Sequence, residues 1–100
     1  MIVVVGIARL QPGSREAMAA AIQPMVEASL LEDGCLACVY GFAIDGSDAV
    51  TFHEVYRDMD ALRSHFVQPH LGAFHEASRD LMLGRPQVTM YGGAEPTTMS

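Results

Sequence analysis

The sequence predicts an α+β fold, a single antiparallel sheet with its helices on one face. Three observations predict it. Half of the 100 residues are hydrophobic and only 18% are charged, which suits one compact core and excludes both a disordered chain and two domains. Segments with β-branched, strand-like patterning alternate with segments whose apolar residues recur at helical spacing. Turn and cap residues separate these segments at short intervals.

Taken in order, Ile2 to Leu10 is β-branched and bounded by Pro12-Gly13, which predicts a buried strand. Ser14 is placed to cap a helix in which Met18, Ile22, Met25, Val26 and Leu30 form one apolar stripe. Pro24 is expected to kink it near Ala20 to Ala21, and Gly34 to end it. Cys35 to Ile44 and Ala49 to Arg57 flank the turn Asp45-Gly46-Ser47-Asp48, a β-hairpin. Asp58 caps a short helix through about Phe66, and Pro69 opens another to about Leu83, where Gly84 and Pro86 stop it. Gln87 to Tyr91 is the last strand. The single domain is expected to span residues 1–93, with 94–100 a loose tail that could embrace a partner subunit.

This order, β-α-β-β-α-α-β, is the ferredoxin-like split β-α-β sandwich. A two-layer sheet should be apolar on one face only. The first strand instead carries Val3, Val5 and Ile7 on one face and Ile2, Val4 and Leu10 on the other. The strand from Cys35 to Ile44 is apolar on both faces too. A second copy packed sheet to sheet would cover the extra face, so an obligate homodimer is expected.

Charge narrows the partners. Twelve Asp and Glu oppose six arginines, with no lysine, for a net charge of -6, which repels nucleic acid and anionic membrane surfaces. The longest apolar run, Met1 to Ala8, is far short of the roughly 20 residues that cross a bilayer. No basic residue precedes it, so a soluble, cytoplasmic protein is expected.

Titratable side chains gather in one stretch: His53, Glu54, His65, His70, His75 and Glu76. Alternation puts Val50, Phe52, Glu54 and Tyr56 on one strand face, where Glu54 would need a partner. His65, on the helix covering the sheet, is the natural one. Such a pair can act as base and orienting carboxylate, or be a buried structural hydrogen bond. A metal site is disfavoured, because steps of five residues turn a helix by roughly 500° and set successive rings about 140° apart, and Pro69 also interrupts the register. A composite site using Glu54 remains open. Cys35-Leu36-Ala37-Cys38 has redox spacing, but residues three apart on a strand point to opposite faces, so packing is expected. The seven methionines read as core, some softening a pocket wall.

Glu32-Asp-Gly-Cys-Leu36, Phe52-His-Glu-Val-Tyr-Arg-Asp58, Ala61-Leu-Arg-Ser-His65, Gln68-Pro-His70 and Phe74 together resemble the antibiotic biosynthesis monooxygenase domain family. The resemblance spans nearly the whole chain. It implies a dimeric α+β barrel of two ferredoxin-like subunits and a pocket between sheet and helices. It also implies, as in several members, oxygenation of quinols or polycyclic phenols by O₂ without metal, flavin or haem. Matched to the motif, Glu54 and His65 would be the polar pair, Tyr56 and Phe74 pocket walls. Many members carry Trp at the position of Tyr56 and an aromatic at that of Cys38. The haem-degrading branch relies on Asn, Trp and His; Gly6 and His65 stand at the first two positions and only His75 matches. With no Asn or Trp in the chain, haem degradation is disfavoured.

The leading expectation is thus a quinol or phenol monooxygenase with no cofactor. His65 would be its base, Glu54 the partner and His75 a second acid or base, with Phe52, Tyr56, Phe74 and His70 around a small aromatic substrate. An isomerase using the same groups, and a non-catalytic dimer binding a hydrophobic ligand, are the alternatives.

Overall fold

A computed structural model describes residues 1–99; Ser100, the end of the expected tail, lies outside the described residues. The elements run β1 (Ile2–Arg9), α1 (Arg15–Ser29), β2 (Cys35–Phe42), β3 (Ala49–Tyr56), α2 (Met59–Phe66), α3 (Pro69–Ser78), a 3-10 turn at Arg79–Leu81, and β4 (Gln87–Tyr91). The four strands form one antiparallel sheet in the order β2-β3-β1-β4, the ferredoxin-like arrangement expected from the sequence.

The side of the sheet toward the helices carries Ile2, Val4 and Ala8 of β1, Leu10 just beyond it, Cys38 of β2, and Val50, Glu54 and Tyr56 of β3, all buried. Met18, Ile22 and Met25 of α1 pack on Ala8, Leu10, Cys38 and Val50 in one core cluster. Ala61 and Leu62 of α2 pack on Ile2, Val4 and Tyr56 in a second. Such clusters are the main favourable term in the fold, about 1.5–3 kcal/mol for each large apolar side chain fully buried. The gap between them becomes the site. Alternation sends Val3, Val5 and Ile7 to the opposite face, where Val39 of β2 and Tyr91 of β4 are half exposed. No helix among the described residues is long and apolar enough to cross a membrane.

Several details differ from the sequence-based expectation. The Ser14 side chain makes no cap hydrogen bond; its carbonyl instead accepts from the Met18 amide at 2.8 Å. Helix α1 runs through Pro24 but ends at Ser29, five residues before Gly34. The intervening residues form a tight turn, with Leu31 N–H donating to Ala28, Glu32 to Ser29 and Cys35 to Glu32. Gly34 still has a positive φ of 92°, and a Cβ there would press on the Ala61 side chain. Asp58 caps α2 as expected, Oδ1 accepting from the Ala61 amide at 2.9 Å. Helix α3 stops at Ser78 rather than Leu83, its continuation tightening into the 3-10 turn.

The Cys-x-x-Cys segment is also corrected. The β2–β3 register shifts between Cys35 and Ala37, so Cys35 faces Tyr56 and Cys38 faces Glu54. The extra residue of this bulge turns both cysteines to the helix side, not to opposite faces. Both are free thiols. Burial, then the nearby Glu54 charge, pushes Cys38 from 9.0 up to about 12, so the packing role stands and a reactive thiolate does not.

Candidate active site

Between the two core clusters lies a cavity of about 240 Å³, walled by Phe52, Leu62, Phe74, Met82, Val88 and Met90 among others. Its aromatic wall is ordered by stacking. Tyr40 lies flat on Phe52, with ring centroids 4.9 Å apart and 12° between planes, and Phe74 meets Tyr40 edge-on at 6.2 Å. Gly6 makes room for this wall, because a Cβ there would overlap the Phe52 ring. A flat apolar slot of this kind suits an aromatic ring.

One end of the slot is polar. Glu54, only 6% exposed, accepts from the Tyr56 hydroxyl at 2.5 Å and from the Tyr40 hydroxyl at 2.8 Å. Burial and the Glu54 charge hold both phenols above the ordinary tyrosine range, so they act as donors that satisfy the buried carboxyl group.

His65 stands next to this group, its Nε2 3.6 Å from Glu54 Oε1, too far for a hydrogen bond. Its Nδ1 instead lies 2.9 Å from Glu32 Oε2 and 3.2 Å from Oε1. His65 is thus hydrogen-bonded to Glu32, which the sequence did not single out, while the expected partner Glu54 stands at ion-pair distance on the other nitrogen. The acceptor-only carboxylate of Glu32 calls for a proton on Nδ1. Nε2 is left as the nitrogen on the Glu54 side, and His65 itself lines the cavity. Three elements converge here. Glu32 comes from the turn after α1, His65 from the last turn of α2, and His70 from the first turn of α3.

The other expected site residues separate. His75 lines the cavity from α3 with an exposed ring. His70 lies outside it, Nε2 2.6 Å from Glu32 Oε2, on a separate open groove. Tyr56 is wholly buried behind Glu54 and is not a wall of the cavity. His53 is exposed and alternates to the other sheet face. Glu32 and Tyr40 were not among the expected site residues. Tyr40 was findable, since it shares a strand face with Cys38 and Phe42. Glu32 stands in the matched segment, but nothing in its spacing aims it at His65.

The five-residue spacing does not hold His65 and His70 apart. Because the chain breaks between α2 and α3, His65 and His70 are not on one helix, and both reach Glu32. The three ligand-type atoms lie within 4.8 Å of one another.

The antibiotic biosynthesis monooxygenase family model matches residues 1–77. An uncharacterised protein of Synechocystis sp. is 34% identical over 100 residues, covering 98% of this chain and 67% of that protein. Among solved structures, the "putative antibiotic biosynthesis monooxygenase" of Nitrosomonas europaea superposes with a TM-score of 0.89 at 21% identity, covering 95% of this chain and 100% of that one. Rv0793 of Mycobacterium tuberculosis gives 0.87 at 24% identity, covering 97% and 98%. These structural likenesses, at low identity, establish the fold. With the sequence match over three quarters of its length, the chain belongs to the antibiotic biosynthesis monooxygenase family.

Proposed function

We propose that this protein is a monooxygenase that oxidises a small quinol or phenol with O₂ and needs no cofactor. The observation that carries this reading is a buried imidazole, held by Glu32 through Nδ1, bordering an apolar aromatic slot. The slot is smaller than the roughly 300–1,000 Å³ of typical ligand sites, which suits a substrate of one or two rings.

An electron-rich ring needs little from the protein once it is deprotonated. His65 Nε2 takes the phenolic proton, and the charge it gains forms between Glu32 and Glu54. The phenolate passes one electron to O₂, and the resulting radical pair joins as a carbon–oxygen bond. His75, which also lines the cavity, protonates the peroxide; the ring C–H proton then leaves as the O–O bond breaks, combining with the departing hydroxide as water, and the proton on His65 returns to solvent. For a quinol the sum is quinol plus O₂ to hydroxyquinone plus water, which balances without an added reductant. The apolar walls keep bulk water from the charged intermediates.

The reading extends to the assembly. The two-sided β1 strand supports a homodimer, a second copy covering Val3, Val5 and Ile7.

The test is oxygen uptake by metal-free protein given reduced naphthoquinone. The expected result is uptake above autoxidation that falls about 10²- to 10⁴-fold in His65→Ala, the usual worth of a positioned base. Equal uptake in the variant overturns the role of His65; no uptake with any quinol or phenol overturns the oxygenase in favour of an isomerase or a binding protein.

A further inference from the structure

We propose that Glu32, His65 Nδ1 and His70 Nε2 form a binding site for a divalent transition metal ion of the zinc class, and that its occupation switches His65 off as a base. The second half rests on the function proposed above; the first does not.

Two imidazoles and a carboxylate are a common donor set for such ions. Here they already converge. Glu32 Oε2 is 2.9 Å from His65 Nδ1 and 2.6 Å from His70 Nε2, while bonds of about 2.0–2.2 Å to a tetrahedral ion require donors roughly 3.3 Å apart. The two Glu32–histidine distances therefore open by less than about 1 Å to admit one, with all three donor atoms already within 4.8 Å of one another. Glu32 is 9% exposed, and its ion-pair partners among the described residues are these two histidines, with no arginine.

The surroundings favour a cation. His70 and Glu32 border an open groove of about 610 Å³ that also carries Asp33, Asp58 and Asp60, with Arg57 as its one cationic lining residue. Arg57 is spoken for by Asp33 at 3.4 Å and Asp58 at 3.7 Å. The groove supplies an entry path and water for a fourth position. On the far side, Glu54 stands 3.6 Å from His65 Nε2. A metal-bound histidine characteristically donates its other N–H to a carboxylate, and Glu54 would close by about half an ångström to accept it.

The consequence follows from lone pairs. A neutral imidazole has one nitrogen lone pair, on the nitrogen that carries no proton. If Nδ1 gives that pair to a metal, Nε2 must hold the proton and cannot take one from substrate. The same Glu32 contact that orients the base in the metal-free protein would thus be exchanged for a bond that disables it.

The experiment is calorimetric titration of metal-free protein with zinc chloride, with His70→Ala, Glu32→Gln and the groove variant Asp60→Asn in parallel. One ion per chain is expected, bound at least 10-fold more weakly by His70→Ala and by Glu32→Gln and far less affected by Asp60→Asn. Absence of binding overturns the site. So does equal affinity in wild type and both ligand variants, which would place the ion on exposed carboxylates. With naphthoquinol present, stoichiometric zinc should stop oxygen uptake and a chelator restore it; uptake that persists in the zinc-bound protein overturns the switch. If the metal-free protein takes up no oxygen, the oxygenase reading fails, while the titration still decides the site.

Discussion

His65 sits between two carboxylates that do different work. Glu32 contacts Nδ1 directly, whereas Glu54 is held by two tyrosine hydroxyls and meets Nε2 only at 3.6 Å. Glu32→Gln should keep the shape but let the ring choose the wrong tautomer. A fall in kcat of about 10-fold or more with KM little changed is expected, and steady-state oxygen uptake would read it; unchanged kcat would return the orienting role to Glu54. Tyr56→Phe removes a donor from a buried carboxylate, at a cost of about 1.5–3 kcal/mol, visible as a lower urea midpoint. At this scale the sequence was half legible. Strand alternation placed Glu54 inside and helix cover brought His65 to it, because both rules are periodic. Glu32 lies in a turn, where no period fixes direction, and its contacts with His65 and His70 span 33 and 38 residues.

The elements show which local rules prevail. Strand order and the Asp58 cap followed from patterning and cap chemistry, whereas α1 stopped at Ser29, and Leu30, the last residue of the expected apolar stripe, is half exposed and adds nothing to the core. The β2 bulge could not be read from Cys35-Leu36-Ala37-Cys38, since an unpaired residue leaves the alternation looking intact until it is paired with β3. Near it lie three neutral acids, Cys38, Tyr40 and Tyr56, all raised by burial first. The folded state holds their protons more tightly than the unfolded chain does. Their contribution to stability is therefore complete below the ordinary thiol and phenol values and lost as pH climbs above 9.0, toward about 12 for Cys38. Urea midpoints should fall across that range, less steeply in Cys38→Ala; equal slopes would contradict it. Gly6 is the second element-scale device. Gly6→Ala should drive the Phe52 ring into the slot, costing about 1–3 kcal/mol as overpacking does and raising KM for a naphthoquinol. An unchanged KM would separate Phe52 from substrate.

For the whole molecule, one sheet serves two purposes. Its helix side holds the cavity, and its other side presents Val3, Val5 and Ile7, with Val39 and Tyr91 half exposed. A charge at the centre of that face should be incompatible with a covered sheet, so Val5→Asp is expected to sediment as a monomer where the wild type sediments as a dimer. A monomeric wild type at micromolar concentration would refute the dimer. The two apolar faces of β1 were legible in the sequence, while the cavity volume was not, because it depends on how far the two core clusters stand apart. In the proposed reaction this cavity joins an oxygen atom from O₂ to a ring deprotonated by His65. The most direct measurement is the mass of the product formed from naphthoquinol under ¹⁸O₂ by metal-free protein. One labelled atom in the hydroxyquinone, absent with His65→Ala, is the predicted result; an unlabelled product, or equal labelling with the variant, would contradict it.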